Sequence, residues 1–196
     1  MKHIKLFIAF TSLLLCAILA FASVSMAFAN EIDWDKWEKR AKEIMEDEGH
    51  DLSDIVRIEH ECALKDNSGL ASDEYWILFY DTIKGDICKY RIRLTTKGVL
   101  VGLDTDNPTG KGRKIVNDPD PRLVDEELLE TGKSAVNAFL KKYNRSLLPM
   151  VNGLQAEQII TQGENEYLTL FNDNYMVMFR VRVAPDVRIE YFSDYR

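Results

Sequence analysis

Histidine and cysteine are both scarce here, each occurring only three times in 196 residues. His3 and Cys16 fall in the apolar N-terminal stretch, so only His50, His60, Cys62 and Cys88 remain for metal, redox or nucleophile chemistry. No C-x-x-C or H-x-x-x-H spacing joins them, and a zinc site therefore has no framework. Strand alternation puts His60 and Cys62 on one side as next-but-one neighbours, which reads as an inward histidine beside a small core residue. Glu59-His60-Glu61 lacks the downstream P-C-x-x-C of the zinc deaminases. No G-x-S-x-G elbow is present, and Gly110-Lys111-Gly112 sits in no phosphate-loop frame. From Asp104 to Gly110 oxygen-bearing side chains alternate, but Thr109 and Ile115 stand where a calcium loop needs Gly and Glu. An excess of base is missing too. With 25 Lys and Arg against 32 Asp and Glu, the chain carries −7, which gives no electrostatic footprint for nucleic acid. The expectation is no catalytic residue, no metal and no cofactor.

What is present begins with a leader. Met1-Lys2-His3-Ile4-Lys5 is basic, Leu6–Ala29 is almost uninterrupted apolar sequence, and Ala27-Phe28-Ala29 places small residues just before Asn30-Glu31. That order is a signal peptide over residues 1–29. The acidic Glu31, Asp33 and Asp35 that follow argue against an uncleaved anchor. Cleavage predicts a secreted or periplasmic chain of 167 residues and net charge −9, with no stable membrane insertion. Such a chain is repelled by anionic lipid. With two cysteines left after cleavage, a Cys62–Cys88 disulfide is the first thought for an exported protein. Meander order argues against it, because the first and third strands lie about 9–10 Å apart. Both thiols are expected as small core residues.

The mature sequence contains one pattern twice. Glu74-Tyr75-Trp76-Ile77-Leu78-Phe79-Tyr80-Asp81 is echoed by Glu166-Tyr167-Leu168-Thr169-Leu170-Phe171-Asn172-Asp173, and Tyr90-Arg91-Ile92-Arg93-Leu94 by Phe179-Arg180-Val181-Arg182-Val183. Each set follows a helical run with an Asp placed as N-cap, Asp33 or Asp125, inside a hydrophobic staple. The first helix presents Trp34, Trp37, Ala41, Ile44 and Met45 on one face and stops at Gly49. The second presents Leu129, Gly132, Val136, Phe139, Leu140 and Tyr143 and stops near Asn144. Strands are predicted over Val56–Lys65, Glu74–Thr82, Ile87–Thr96 and Val99–Asp104, then Leu154–Gln162, Glu166–Asn172, Tyr175–Ala184 and Val187–Ser193. Lys84-Gly85-Asp86, Thr96-Lys97-Gly98 and Ala184-Pro185-Asp186 supply turn chemistry. The fold class expected is α+β: one helix on an antiparallel meander with one wet face, built twice over residues 30–104 and 123–196. Residues 105–122 read as a linker.

The run Lys89-Tyr90-Arg91-Ile92-Arg93-Leu94-Thr95-Thr96-Lys97-Gly98-Val99-Leu100, closing a helix-then-meander unit, resembles the PepSY-type domain of exported bacterial proteins. More loosely, a helix wrapped by a sheet is similar to the cystatin fold, although the Q-x-V-x-G loop of inhibitory cystatins is absent. The resemblance implies a non-catalytic module, in some relatives linked to restraining peptidases, with a protein or peptide partner in the cell envelope or outside the cell. The candidate binding residues are Arg91, Arg93, Arg180 and Arg182, which alternation places on the wet sheet face. They suit an acidic peptide or glycan through bidentate guanidinium–carboxylate geometry. Cross-strand pairing with Glu59, Glu61 or Glu190 is the competing reading. An envelope hydrolase with an unrecognised acid pair and a purely structural repeat are the alternative functions.

Overall fold

A computed structural model describes residues 32–65, 72–84, 88–105, 124–162 and 164–196. The leader, the 106–122 stretch with its calcium-like and Gly110-Lys111-Gly112 segments, and the Gly85-Asp86 tip lie outside the described residues. The compact unit carrying the sheet runs from Lys36 to Arg196; of Met1–Asp35 only residues 32–35 are described.

Ten principal elements follow one another: α1 (Trp34–Asp47), β1 (Arg57–Ala63), β2 (Glu74–Tyr80), β3 (Tyr90–Thr95), β4 (Leu100–Asp104), α2 (Glu126–Tyr143), β5 (Gln155–Gln162), β6 (Asn165–Asn172), β7 (Val177–Ala184) and β8 (Arg188–Asp194). A 3-10 segment, Arg145–Gly153, leads from α2 into β5. The strands form one antiparallel sheet in the order β1-β2-β3-β4-β8-β7-β6-β5. The protein is therefore α+β with a single open eight-stranded sheet. Two meanders meet at its centre, where β4 pairs with β8 through Gly102↔Ser193, Leu103↔Phe192 and Asp104↔Tyr191.

Local chemistry explains the helix limits. Asp125 caps α2 by accepting from the Leu128 amide at 2.8 Å, satisfying one of the free donors of the first turn. The chain leaves α1 through Gly49 at φ +77°, a left-handed conformation that glycine adopts without a Cβ clash. Asn144 closes α2, with its amide nitrogen donating to Leu100 O at 2.9 Å, and so ties the helix end to β4.

Register and alternation place both helices on one sheet face. Trp37 packs on Tyr75 with ring centroids 5.1 Å apart and the planes tilted by 47°. Phe139 meets Phe179 at 6.5 Å and Phe192 at 5.6 Å, both edge-on. Tyr75 leads by register through Leu94, and Leu103 to Phe192, along that same face. Ala41, Ile44, Met45, Ile77, Phe79, Ile92, Leu94, Val136, Leu140, Leu168, Leu170, Phe179 and Val181 are fully buried there. Trp34 and Leu129, expected on the helix faces, are only half-buried.

At Gly132 helix α2 lies so close to β6 that an added Cβ would sit 2.7 Å from Leu168 Cδ2 and 3.0 Å from Leu170 Cδ1. Gly132→Val should therefore destabilise the protein by about 1–3 kcal/mol through overpacking, despite valine's smaller entropy loss. A urea midpoint unchanged or raised would contradict this contact.

The second face is not uniformly wet, contrary to the alternation pattern. Leu78, Tyr80 and Cys88 form a buried cluster with Trp76 packed against it. Guanidinium groups roof it over: Arg57 lies 3.8 Å from the Tyr80 ring and Arg91 5.5 Å from the Trp76 ring. Such stacking leaves the charge hydrated while its planar body covers apolar surface. Cys88 is a core residue as expected, but Cys62, expected in the core, is exposed; both are free thiols. Cys62 belongs to edge strand β1, where only β2 lies alongside it, so inward alternation does not suffice to bury it.

Candidate functional site

The four candidate arginines do not act together. Arg91 lies 3.7 Å from the buried Asp104 carboxylate and stacks on Trp76. Arg93 is held by Glu74 at 3.4 Å, by Val101 O at 3.1 Å and by Ser193 Oγ at 2.6 Å. Both therefore serve the sheet itself. Glu59, one of the acids considered as their partner, pairs with Arg57 at 2.5 Å. Arg180 and Arg182, in contrast, line a cavity of about 270 Å³ at the end of the sheet where β4 finishes and β8 begins.

β7 supplies these two because Phe179 and Val181 alternate with them and take the helix-facing positions. After the Ala184-Pro185-Asp186 turn the chain returns as β8, and the register sets Arg182 opposite Arg188. Two like charges directly opposite each other repel. The bulge that creates this opposition also supplies its counter-charge. Pairing jumps from Arg180↔Tyr191 to Val181↔Ile189, leaving Glu190 as the extra residue on β8. Bulges redirect a side chain in this way. Glu190 Oε1 accepts from Arg188 Nε at 2.6 Å and lies 3.6 Å from Arg182 Nε, and Oε2 accepts from Thr105 Oγ1 at 2.5 Å. Glu190 is thus a buried carboxylate set between two guanidinium groups, tied to the end of β4.

Further cations complete the wall. Lys89 lines the cavity from the start of β3 and pairs with Asp54 at 2.5 Å. Arg180 lies 5.7 Å from the Tyr167 ring. Arg182 also pairs with the exposed Asp186 at 2.6 Å. Of the charged groups lining the cavity, Lys89, Arg180, Arg182 and Arg188 are cationic and only Glu190 is anionic.

His50 is the member that sequence reasoning missed. It follows α1, is 6% exposed, and tilts against Tyr90 with ring centroids 5.6 Å apart. Its Nε2 is buried and lacks a hydrogen-bond partner among the described residues. Burial, opposed by Glu190 and the Ile189 backbone and reinforced by Arg188 and Arg182, pushes the imidazole down from 6.5 to about 4. At neutral pH the ring is therefore uncharged. Arg182 Nε is likewise buried without a hydrogen-bond partner among the described residues. The cue available in sequence was weak: a histidine just past a helix-stopping glycine.

His60 has a different role. Its Nε2 meets Glu38 Oε2 on α1 at 3.2 Å, a half-buried helix-to-sheet contact. Among the described residues no three His, Cys, Asp or Glu side chains gather to hold a metal ion, and no helix is long and apolar enough to cross a membrane.

No protein-family model matches this sequence, and no curated protein matches it. Among solved structures, the Bacillus megaterium YpeB C-terminal domain is similar at a TM-score of 0.43 and 13% identity. The match covers 84% of this chain and 64% of that one, so this chain spans under two thirds of its length.

Proposed function

We propose that this chain is an exported, non-catalytic module that binds a protein or peptide partner through the arginine-lined end of its sheet. The observation carrying this reading is the charge census of the cavity, four cationic side chains around a single carboxylate in a chain whose overall charge is −7. A cationic enclave on an acidic protein steers and orients an acidic segment while repelling most other surfaces. The edge strands β1 and β5 offer unpaired backbone on which an extended segment can continue the sheet. The PepSY-type resemblance of the Lys89–Leu100 run fits an exported module that restrains a peptidase. We further read the two helix-and-four-strand halves as copies of one unit whose sheets have fused at β4 and β8.

The test uses the mature chain, residues 30–196, as bait against the envelope fraction of its own source. A partner is expected to be retained by the wild type and lost at least tenfold with Arg182→Gln combined with Arg188→Gln. Retention should survive Arg91→Gln. Capture that is indifferent to both sets of substitutions would dismiss the cavity as the binding surface.

A further inference from the structure

We infer that the cavity seats a carboxylate presented by an acidic peptide side chain, and that His50 takes up a proton as the carboxylate enters. This rests on the binding role proposed above and names both the chemistry recognised and its dependence on pH.

Three observations converge on it. The first is size: about 270 Å³ equals roughly nine waters at about 30 Å³ each. That accommodates a glutamate or aspartate side chain with part of its backbone. The second is donor surplus. Each guanidinium carries five N–H donors. Arg182 and Arg188 share one oxygen of Glu190, and beyond it Arg182 donates to Asp186 and Arg188 to the Gly49 carbonyl, which leaves donors on both without an acceptor among the described residues. A ligand carboxylate supplies such acceptors, in the forked geometry that guanidinium favours. The third is His50, a residue of the cavity lining that is itself only 6% exposed and whose imidazole Nε2 has no hydrogen-bond partner among the described residues.

An imidazolium at His50 adds a positive charge beside the seat, whereas the neutral ring adds none. The charged groups acting on the ring are Glu190 and Arg188 from β8 and Arg182 from β7; Tyr90 of β3 packs against it, and Lys89, just before β3, lines the same cavity. Arg188 and Arg182 oppose protonation and Glu190 favours it. An added carboxylate shifts that balance toward the imidazolium. No covalent bond between heavy atoms forms or breaks; a proton moves from solvent to the imidazole as the ligand binds. By linkage, the ligand then binds more tightly as the pH falls.

The experiment is calorimetric titration of the mature protein with the blocked peptide acetyl-Glu-Glu-amide between pH 8 and pH 6, in two buffers of different ionisation enthalpy. The peptide's carboxylates titrate at about 4.3 and stay ionised throughout. Saturable binding is expected, tightening as the pH falls toward 6, with fractional net proton uptake that grows in the same direction. His50→Gln should abolish both the uptake and the pH dependence while leaving weaker binding. Lys89→Gln, on the rim, should weaken binding several-fold with the uptake intact. Inorganic phosphate at pH 8 serves as the second probe, and tighter binding of phosphate than of the peptide would overturn the carboxylate assignment. No saturable heat with the peptide, or unchanged proton uptake in His50→Gln, would overturn the inference. If the envelope partner is still retained in an Arg182-dependent manner, that failure belongs to this inference alone and the binding role stands.

Discussion

Arg93→Ala should lower the unfolding free energy by about 3–5 kcal/mol, the usual cost of removing one partner from a buried pair. The Arg93 side chain is 12% exposed and its partner Glu74 only 4%. From β3 the guanidinium crosses β4 above Gly102 to reach Ser193 Oγ on β8, donating to the Val101 carbonyl on the way. Gly102 is what permits this, since an added Cβ there would stand 2.1 Å from Arg93 Nε. The substitution leaves the Glu74 carboxylate buried, with the Trp76 indole N–H, 2.8 Å away, as its side-chain donor among the described residues. It also removes the side-chain tie across the three-residue β4–β8 pairing. Melting should fall by roughly 10 °C, at about 2–4 °C per kcal/mol for a chain of this size. The double replacement Arg93→Met with Glu74→Leu should recover most of the loss, because it removes both charges together. Arg40→Ala serves as the control. Its pair with Glu43 spans 3.5 Å between exposed side chains, and the change should stay within about 0.5 kcal/mol. An Arg93→Ala protein as stable as the control would mean that the Arg93 tie contributes nothing to the joining of the two halves.

The second large effect is one of acidity. Between pH 6.5 and pH 4 the protein should lose about 3 kcal/mol through His50 alone, at about 1.4 kcal/mol per pH unit. The sign follows from the direction of the shift. The folded imidazole titrates near 4 while the unfolded one titrates at its ordinary 6.5. Through that window the unfolded chain binds a proton that the folded chain refuses. The contribution is therefore complete above pH 6.5, declines as the pH falls, and is flat again below 4. Desolvation is the principal cause, aided by Arg188 and Arg182 and opposed by Glu190. Urea midpoints of wild type and His50→Gln, compared across this range, isolate the term because carboxylate titration is common to both. The difference between the two should change by about 3 kcal/mol from pH 7 to pH 4. Parallel curves would mean that His50 is hydrated in solution.

How much of this could be read from residue patterns varies by element. The helix faces were, because Trp37, Ala41, Ile44 and Met45, and Val136, Phe139, Leu140 and Tyr143, fall at helical spacing and are buried. The eight strands matched to within three residues at their ends, since alternation and turn residues fix strand limits locally. That the two meanders join was not legible, because β4 and β8 pair through backbone groups that every residue carries. One trace existed. Leu100-Val101-Gly102-Leu103-Asp104 is buried at every position, and its run of apolar residues and glycine suits a central strand better than an edge. The 3-10 segment Arg145–Gly153 was missed, although its turns bond locally, as Leu147 N to Asn144 O; part of what holds it comes from afar, where Asn172 Nδ2 donates to Met150 O at 2.9 Å. The site was half visible. Arg180 and Arg182 stood out by alternation, and Glu190 was named among their possible cross-strand acids, although the register jump that brings it between Arg182 and Arg188 was not legible; His50 enters through the path of the chain after α1. Thr105 meets Glu190 across 85 residues of sequence, a separation over which no local pattern extends.

The central claim is that the ligand-bearing arginines belong to β7 and β8 while those of β3 are structural. The most direct measurement is an arginine side-chain Nε–Hε spectrum of the mature protein, assigned by single substitutions and recorded with and without an acidic peptide. Resonances of Arg182 and Arg188 should move on binding while those of Arg91 and Arg93 hold still. Movement at Arg91 and Arg93 with Arg182 and Arg188 unaffected would contradict the account.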